Sequence, residues 1–527
     1  MKRARPMFIH KVFSLLLVSL SGPVAAGLAQ EAPHAPCHTA LAGAVSRAVM
    51  ERPVALTDTA GHLHQQVSTT SAEAQAYYDQ GFAYLASYVW IEAARSFSEA
   101  LRRDPALAMA HLGLAKAYTG AEAFSDAHLH LQKASDLAAQ GKVTAKEAKW
   151  IALGMQQMEA LTAPAEERAA QHQAYKQGIE ELIALDPEDP HAWVLRGNAE
   201  EPGAWGRGQV GGVGSIAYYE AALRRDPENL AAHHFLVHSY ENIGRHAIAA
   251  EHGQRYAAAA PGVPHAQHMY GHVLPRVGKW SEALAQLTAA DRLEREYYAA
   301  QGIAPAEDWH HGHNLHLLGI VHLRLGNDAE AERLFWEDFR LANRGLLAGA
   351  YGAPWLEYLL LRGRFQEALS AAQEVEGRPS AAAHIVGAAF GGEALLALDR
   401  LDEAKHAQER ALAAYTELVS QTKNTPYEAF ASRFMRSFLK PLEGELALRG
   451  ENSTTGETQL TTMADELATN PRVDAWAVGL FQLQRLAADA RHAGKPQLAA
   501  ALIERMRRID PEFTFSEKAT LAVSAGD

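Results

Sequence analysis

Cysteine is almost absent: the chain of 527 residues has one, Cys37. A single thiol closes no internal disulfide and builds no thiolate metal cluster, so the fold must be held by packing. Long hydrophobic runs are missing as well. Beyond the first 29 residues nothing approaches the ~18 consecutive apolar residues of a spanning helix, so no transmembrane span is expected in the mature chain. Positive charge is in deficit, with 49 Lys and Arg against 62 Asp and Glu and a net charge of −13. An acidic chain disfavours nucleic acid and anionic lipid as main partners. No HExxH signature and no nucleophile constellation are present. What is plentiful is apolar residue, 48% of the chain, which excludes a mostly disordered protein.

The first 29 residues differ from the rest. "MKRARPMFIHK" is basic, "VFSLLLVSL" is a short apolar run, and "GPVAAGLAQ" supplies small residues for cleavage after Ala26 or Ala29. This pattern predicts a signal peptide and a periplasmic or secreted protein. Its basic residues are Lys2, Arg3, Arg5 and Lys11, with no acid, so the mature chain is more acidic still. Cys37 lies in "HAPCHTA", without the residues of a lipoprotein box, so lipid anchoring is not expected. His34, Cys37 and His38 are metal-ligand types, but a flexible leader over 30–72 is the simpler expectation.

Internal repetition decides the architecture. In "YYDQGFAYLASYVWIEAARSFSEALRRDP" the small or aromatic positions are Gly81, Tyr84, Ala93, Phe97 and Ala100. Thirty-four residues on stand Ala115, Tyr118, Ala127, Leu131 and Ala134. The phase returns at Val237, Tyr240, Ala249 and Gly253, then at Gly271, Leu274, Ala283 and Leu287, and after an insertion of 14 residues at Gly319, His322 and Ala331. This spacing resembles the tetratricopeptide repeat (TPR), a helix-turn-helix unit with small residues where its helices cross. The resemblance implies an all-α solenoid, a right-handed superhelix with a concave groove. The expected organisation is N-terminal repeats over 73–163, central repeats over 164–340, TPR-like repeats over 341–515 and a tail over 516–527.

Three segments depart from the phase. Residues 143–185 carry two long helical patterns, "EEPGAWGRGQVGGVG" interrupts a repeat over 200–214, and "REYYAAQGIAPAEDWHHG" interrupts a boundary over 295–312. Insertions in solenoids commonly project and serve binding. "GRGQVG" satisfies the G-x-G-x-x-G pattern but has no strand before it, so it is no dinucleotide site. An anion nest is the alternative, with Trp205, Arg207 and Gly208 ahead of "SIAYYEAALRRD", against a plain flexible insertion. "RGENSTTGETQ" is expected to be a loop.

Half of the 26 histidines fall between His233 and His322. With Ala249 at repeat position 20, His234 and His238 stand at 5 and 9, one helical turn apart and so on one face. Thirty-four residues on come His268 and His272; His316 is the next position 5, and His265 and His313 are at position 2. Upstream, "DPHAWVLRGNAEE" places His191 at 2, Asn198 at 9 and Glu201 at 12, and Glu241 is the next position 12. The TPR resemblance implies that positions 2, 5 and 9 face the groove. It also implies that His233 and His322 are core residues. The blocks "HHFLVHSYENIG", "PHAQHMYGHVLPRVGKW" and "HGHNLHLLGIVHLRLG" resemble those of exported bacterial TPR proteins, a likeness that carries no activity with it.

Three functions remain open at this stage. The first is an exported binding or scaffolding protein whose histidine-lined groove takes a protein, a peptide or a small ligand. The second is a divalent metal site at His234, His238, His268, His272 and His316 for zinc, copper or nickel, because imidazole nitrogen and carboxylate oxygen suit those ions. A metal carrier, or a metallohydrolase with Glu201 or Glu241 as general base, would follow from it. The enzyme is the less expected form, because TPR folds rarely catalyse. In the third, the imidazoles simply bond to one another. The terminal repeats lack a clearly polar capping helix, which leaves dimerisation open.

Overall fold

The computed structural model describes residues 46–121, 123–203, 206–341, 353–423, 428, 430–450 and 453–514. The signal-peptide, lipoprotein and tail expectations, and Trp205 of the nest, fall outside those residues. Among the described residues every regular element is helical, and no helix is long and apolar enough to cross a membrane.

The helices form successive hairpins. They pair α1 (Ala72–Ala86) with α2 (Trp90–Arg103), α3 (Ala108–Gly120) with α4 (Phe124–Ala139), α5 (Ala145–Thr162) with α6 (Ala165–Leu185), and α7 (Pro190–Asn198) with α8 (Val213–Leu223). The central pairs are α9 (Leu230–Asn242) with α10 (His246–Ala259), α11 (Pro264–Val273) with α12 (Trp280–Gln301), and α13 (Trp309–Arg324) with α14 (Asp328–Arg340). Then come α15 (Ala353–Leu361) with α16 (Phe365–Glu376), α17 (Ala381–Ala397) with α18 (Leu401–Thr422), α19 (Lys440–Arg449) with α20 (Ser453–Thr469), and α21 (Leu480–His492) with α22 (Pro496–Ile509). Each hairpin stacks on the next, the arrangement of a TPR-type solenoid.

The repeat phase has a steric cause. A Cβ on Gly81 would lie 2.9 Å from the Phe97 ring, and one on Gly113 would lie 2.5 Å from it, so one phenylalanine is clamped by two successive first helices. The pattern recurs where Gly197 meets Tyr219 and where Gly319 meets Phe335. Starts are fixed by side-chain caps: Ser71, Asp189, Asn229 and Asp308 each accept a backbone N–H of their first turn at α1, α7, α9 and α13.

Two long-range closures set the site. The segment before α1 runs as a bonded strap rather than a free leader: Arg95 binds the Arg52 and Pro53 carbonyls, Gln80 the Ala55 carbonyl, and His191 the His64 carbonyl. Helix α1 then packs directly on α9. From the other end, the segment between α20 and α21 reaches the turn after α11, where Arg276 binds the Pro471 and Val473 carbonyls at 3.2 and 3.1 Å. The array therefore curls on itself, and its central helices are covered from both ends.

Two local expectations are corrected. The 295–312 interruption is mostly lengthened helix, because α12 runs on to Gln301 and α13 starts at Trp309. "RGENSTTGETQ" is not a loop throughout: α20 begins at Ser453, and Gly456 lets it approach the Leu448 backbone. The residues are polar because that helix has an exposed face. The two helices expected over 143–185 are α5 and α6.

Candidate functional site

Helices α9, α11 and α13 are the first helices of three consecutive hairpins, and each turns histidines at helical spacing toward one place. His234 and His238 come from α9, His265, His268 and His272 from α11, and His310, His313 and His316 from α13. All are buried, His234, His268 and His313 at 0% exposure. The expected histidine stripe is thus present as one continuous cluster, enclosed rather than lining an open surface.

At one end three ring nitrogens converge. His234 Nε2 lies 3.2 Å from His238 Nε2 and 3.1 Å from His265 Nε2. His234 is oriented by its other nitrogen: Nδ1 donates to the Ala86 carbonyl at 2.7 Å, so Nε2 of the neutral ring carries a lone pair. Tyr256 stacks on the same ring at 4.7 Å and Tyr88 meets it edge-on at 4.6 Å. Burial pushes His234 down to about 3, and burial with the neighbouring imidazoles holds His265 well below the ordinary range. Both are therefore neutral, the form that ligates metal.

The cluster continues through His268, His310 and His313. The His268 ring lies 4.4 Å from His310 and 4.9 Å from His313. Its Nδ1 pairs with Asn314 Oδ1 at 2.9 Å, and its buried Nε2 has no hydrogen-bonding partner among the described residues. Burial also lowers His268 and His313 strongly, and His316 to about 4. His310 is set by Glu294, which accepts from its Nδ1 and from His311 Nδ1, the latter at 2.9 Å. Burial alone would raise Glu294, but the two imidazoles hold it at about 2.

The far end is ionic. His272 lies between Glu241 (3.1 Å) and Asp474 (3.3 Å), and Arg276 binds the same carboxylates at 2.9 and 2.6 Å. Burial would raise both acids, but His272 and Arg276 keep them below their ordinary range. A third group with metal-ligand separations, Asp291, Glu294 and His311, borders Arg295, which pairs with Asp291 at 2.9 Å. Both carboxylate groups thus already contain a guanidinium. The group His234, His238 and His265 is made of imidazoles alone.

The remaining expected residues are placed elsewhere. His191 binds the His64 carbonyl at 3.0 Å and meets the Phe82 ring edge-on; Asn198 accepts from Tyr219 Oη at 2.7 Å. Glu201 holds the 206–211 loop, accepting from the amides of Arg207 at 2.9 Å and Val210 at 2.7 Å. Burial raises it to about 7 despite those donors. The Arg207 and Gly208 loop thus receives a carboxylate of the chain itself. His233 pairs with His252 and with the Pro227 carbonyl, and so packs α9 on α10.

Sequence reasoning passed over His310, Glu294, Arg276, Asp474 and the Ala86–Tyr88 turn. For His310 a signal existed: Asp308 is an N-cap type two residues earlier, which starts α13 ahead of the repeat phase. Asp474 and Tyr88 carry no local signal, since only the closures bring them near.

No protein-family model matches the chain, and no curated protein matches it. Solved structures with similar helical arrays include a tetratricopeptide repeat protein from Parabacteroides merdae (12% identity, 55% of this chain and 99% of that one, TM-score 0.36) and yeast Tom70 (14% identity, 84% and 91%, TM-score 0.34). The Cut9–Hcn1 structure is a third (14% identity, 88% and 78%, TM-score 0.35). The fold is an all-α array of stacked helical hairpins. Its distinguishing part is the enclosed imidazole cluster.

Proposed function

We propose that the protein binds a divalent transition-metal ion, zinc or copper(II), through Nε2 of His234, His238 and His265. The observation that carries this reading is the convergence of three nitrogens at 3.1 and 3.2 Å on a ring held through Nδ1 by a backbone carbonyl. Metal–nitrogen bonds of about 2.0–2.1 Å in a tetrahedral set put donor nitrogens roughly 3.3 Å apart. A carbonyl on the far nitrogen is the usual way a ligating histidine is oriented. With no ion, Nε2 of His234 has a single lone pair facing the ring nitrogens of both His238 and His265. Three imidazoles and no thiolate suit zinc or copper(II). Binding without catalysis is the form we favour, since Glu201 is engaged by loop amides and Glu241 by Arg276.

Linkage tests this. At an ion concentration about 100-fold above the dissociation constant the folded state gains roughly 2.7 kcal/mol. Thermal melting of chelator-treated protein should rise on adding zinc or copper(II), and His265→Ala should abolish the rise. Equal responses from parent and variant would remove these residues from the site.

A protein-interaction role is the second reading, and it rests on a different place. A cavity of about 720 Å³ between α13–α14 and the C-terminal hairpins is lined by Phe335, Tyr358, Phe438 and Phe481, with Arg433, Lys440 and Arg472 outnumbering Glu357 and Glu466, which suits a peptide with mainly apolar and some acidic side chains. Peptides selected on the purified protein should be of that kind and should lose binding to Arg433→Glu; unchanged binding would place the partner elsewhere. Export is proposed with both, on the pattern of residues 1–29. Protein recovered from the periplasm or medium should begin at Gly27 or Gln30, and an unprocessed N-terminus would contradict it.

A further inference from the structure

Between the N-terminal hairpins, α7 and α9 lies a separate, half-open cavity of about 150 Å³, walled mainly by Phe82, Trp90, Leu112, Trp150 and Leu161. Among the described residues its charged lining side chains are Lys116 and Arg207, both cationic. Lys116, on α3, has its ammonium 5.2 Å from the Trp150 ring centroid and makes no hydrogen bond or ion pair among the described residues. Arg207 lies over Trp90 and reaches the Gly120 carbonyl. No Asp or Glu lines the cavity among the described residues, in a chain with 62 of them. Lys116 is half-buried, and a cation set in a largely apolar wall without a counter-charge is one that most proteins pair. Burial lowers Lys116 to about 8, which still leaves it largely protonated at neutral pH.

Size and chemistry together select a ligand. An apolar cavity of roughly 150 Å³ holds a body about the size of benzene, well below a drug-sized pocket. One unpaired ammonium matches one negative charge, and the few donors around it do not suit a phosphate dianion. We propose that this cavity binds a small monocarboxylate with an aryl or short alkyl body, its carboxylate paired with Lys116 and its apolar part against Trp90, Trp150 and Leu112. The site is independent of the metal reading, although Tyr88 borders both the cavity and the His234 ring.

Phenylacetate and its neutral isostere phenylacetamide are the probes, titrated into the full chain by calorimetry and followed by tryptophan fluorescence. Phenylacetate should bind at one site and change the emission of the cavity tryptophans. Phenylacetamide should bind about tenfold more weakly, because it leaves Lys116 uncompensated. Lys116→Met should remove that difference, and Lys116→Gln gives a second variant should the first melt abnormally. Equal binding of the two probes, retention of anion preference in both variants, or absence of binding by either probe would overturn the proposal. So would much tighter binding of a short peptide ending in phenylalanine, since the ligand would then be a chain terminus.

Discussion

At the scale of single residues, the histidines outside the proposed metal site make the molecule acid-sensitive. His111 and His130 face each other at 3.0 Å through Nδ1, and burial lowers them to about 4 and about 3; His252 is lowered to about 4. Their unfolded pKa is about 6.5, so the stability they contribute is present above that pH and lost as pH falls toward the folded values. Glu393 runs the other way: burial raises it to about 7, so its contribution is present below the unfolded carboxylate range and lost as pH rises through 7. Denaturant unfolding of chelator-treated protein should show lower stability at pH 5 than at pH 7.5, and His130→Phe should reduce the difference. A pH-independent midpoint would mean that these imidazoles are solvated.

At the scale of the element, the glycine–aromatic crossings predict specific costs. Phe97→Ala empties a clamp shared by two hairpins and should cost about 3–5 kcal/mol, measured by denaturant unfolding. Gly197→Val should cost about 1–3 kcal/mol by overpacking, since its Cβ would lie 2.3 Å from Tyr219. This is also where most of the fold was legible. Small residues recurring every 34 positions reported the hairpin crossings, and the same phase brought histidines at positions 2, 5 and 9 of successive first helices to one face. What the phase did not carry was the start of α13, because α12 overruns the repeat boundary and moves the next cap to Asp308. The enclosure of the cluster was equally hidden. Repeat logic describes nearest neighbours, whereas Ala86, Tyr88 and Asp474 arrive by contacts between hairpins far apart in the chain.

At the scale of the whole molecule, closure distinguishes this array from an open solenoid, in which each repeat meets only its neighbours. Arg276, in the turn after α11, and His272 of α11 tie Asp474 and the C-terminal loop into the core. Arg276→Ala leaves two buried carboxylates with His272 alone and should cost about 3–5 kcal/mol. Hydrogen exchange in that variant should rise together over 264–277 and 471–478, while the N-terminal hairpins keep their protection. Uniform exchange across the chain would mean that the loop does not act as a closure. A covered core is also what a buried site requires, since imidazoles packed against Tyr88 and Tyr256 are shielded from competing water.

Whether His234, His238 and His265 hold an ion is best read by X-ray absorption on metal-loaded protein purified from its native compartment without an affinity tag. The protein should carry about one equivalent of zinc or copper(II) with three imidazole nitrogens at roughly 2.0–2.1 Å. The His238→Ala, His265→Ala double variant should give no such signal. Absence of stoichiometric metal in the parent, or an oxygen-dominated shell unchanged in the variant, would contradict the metal site.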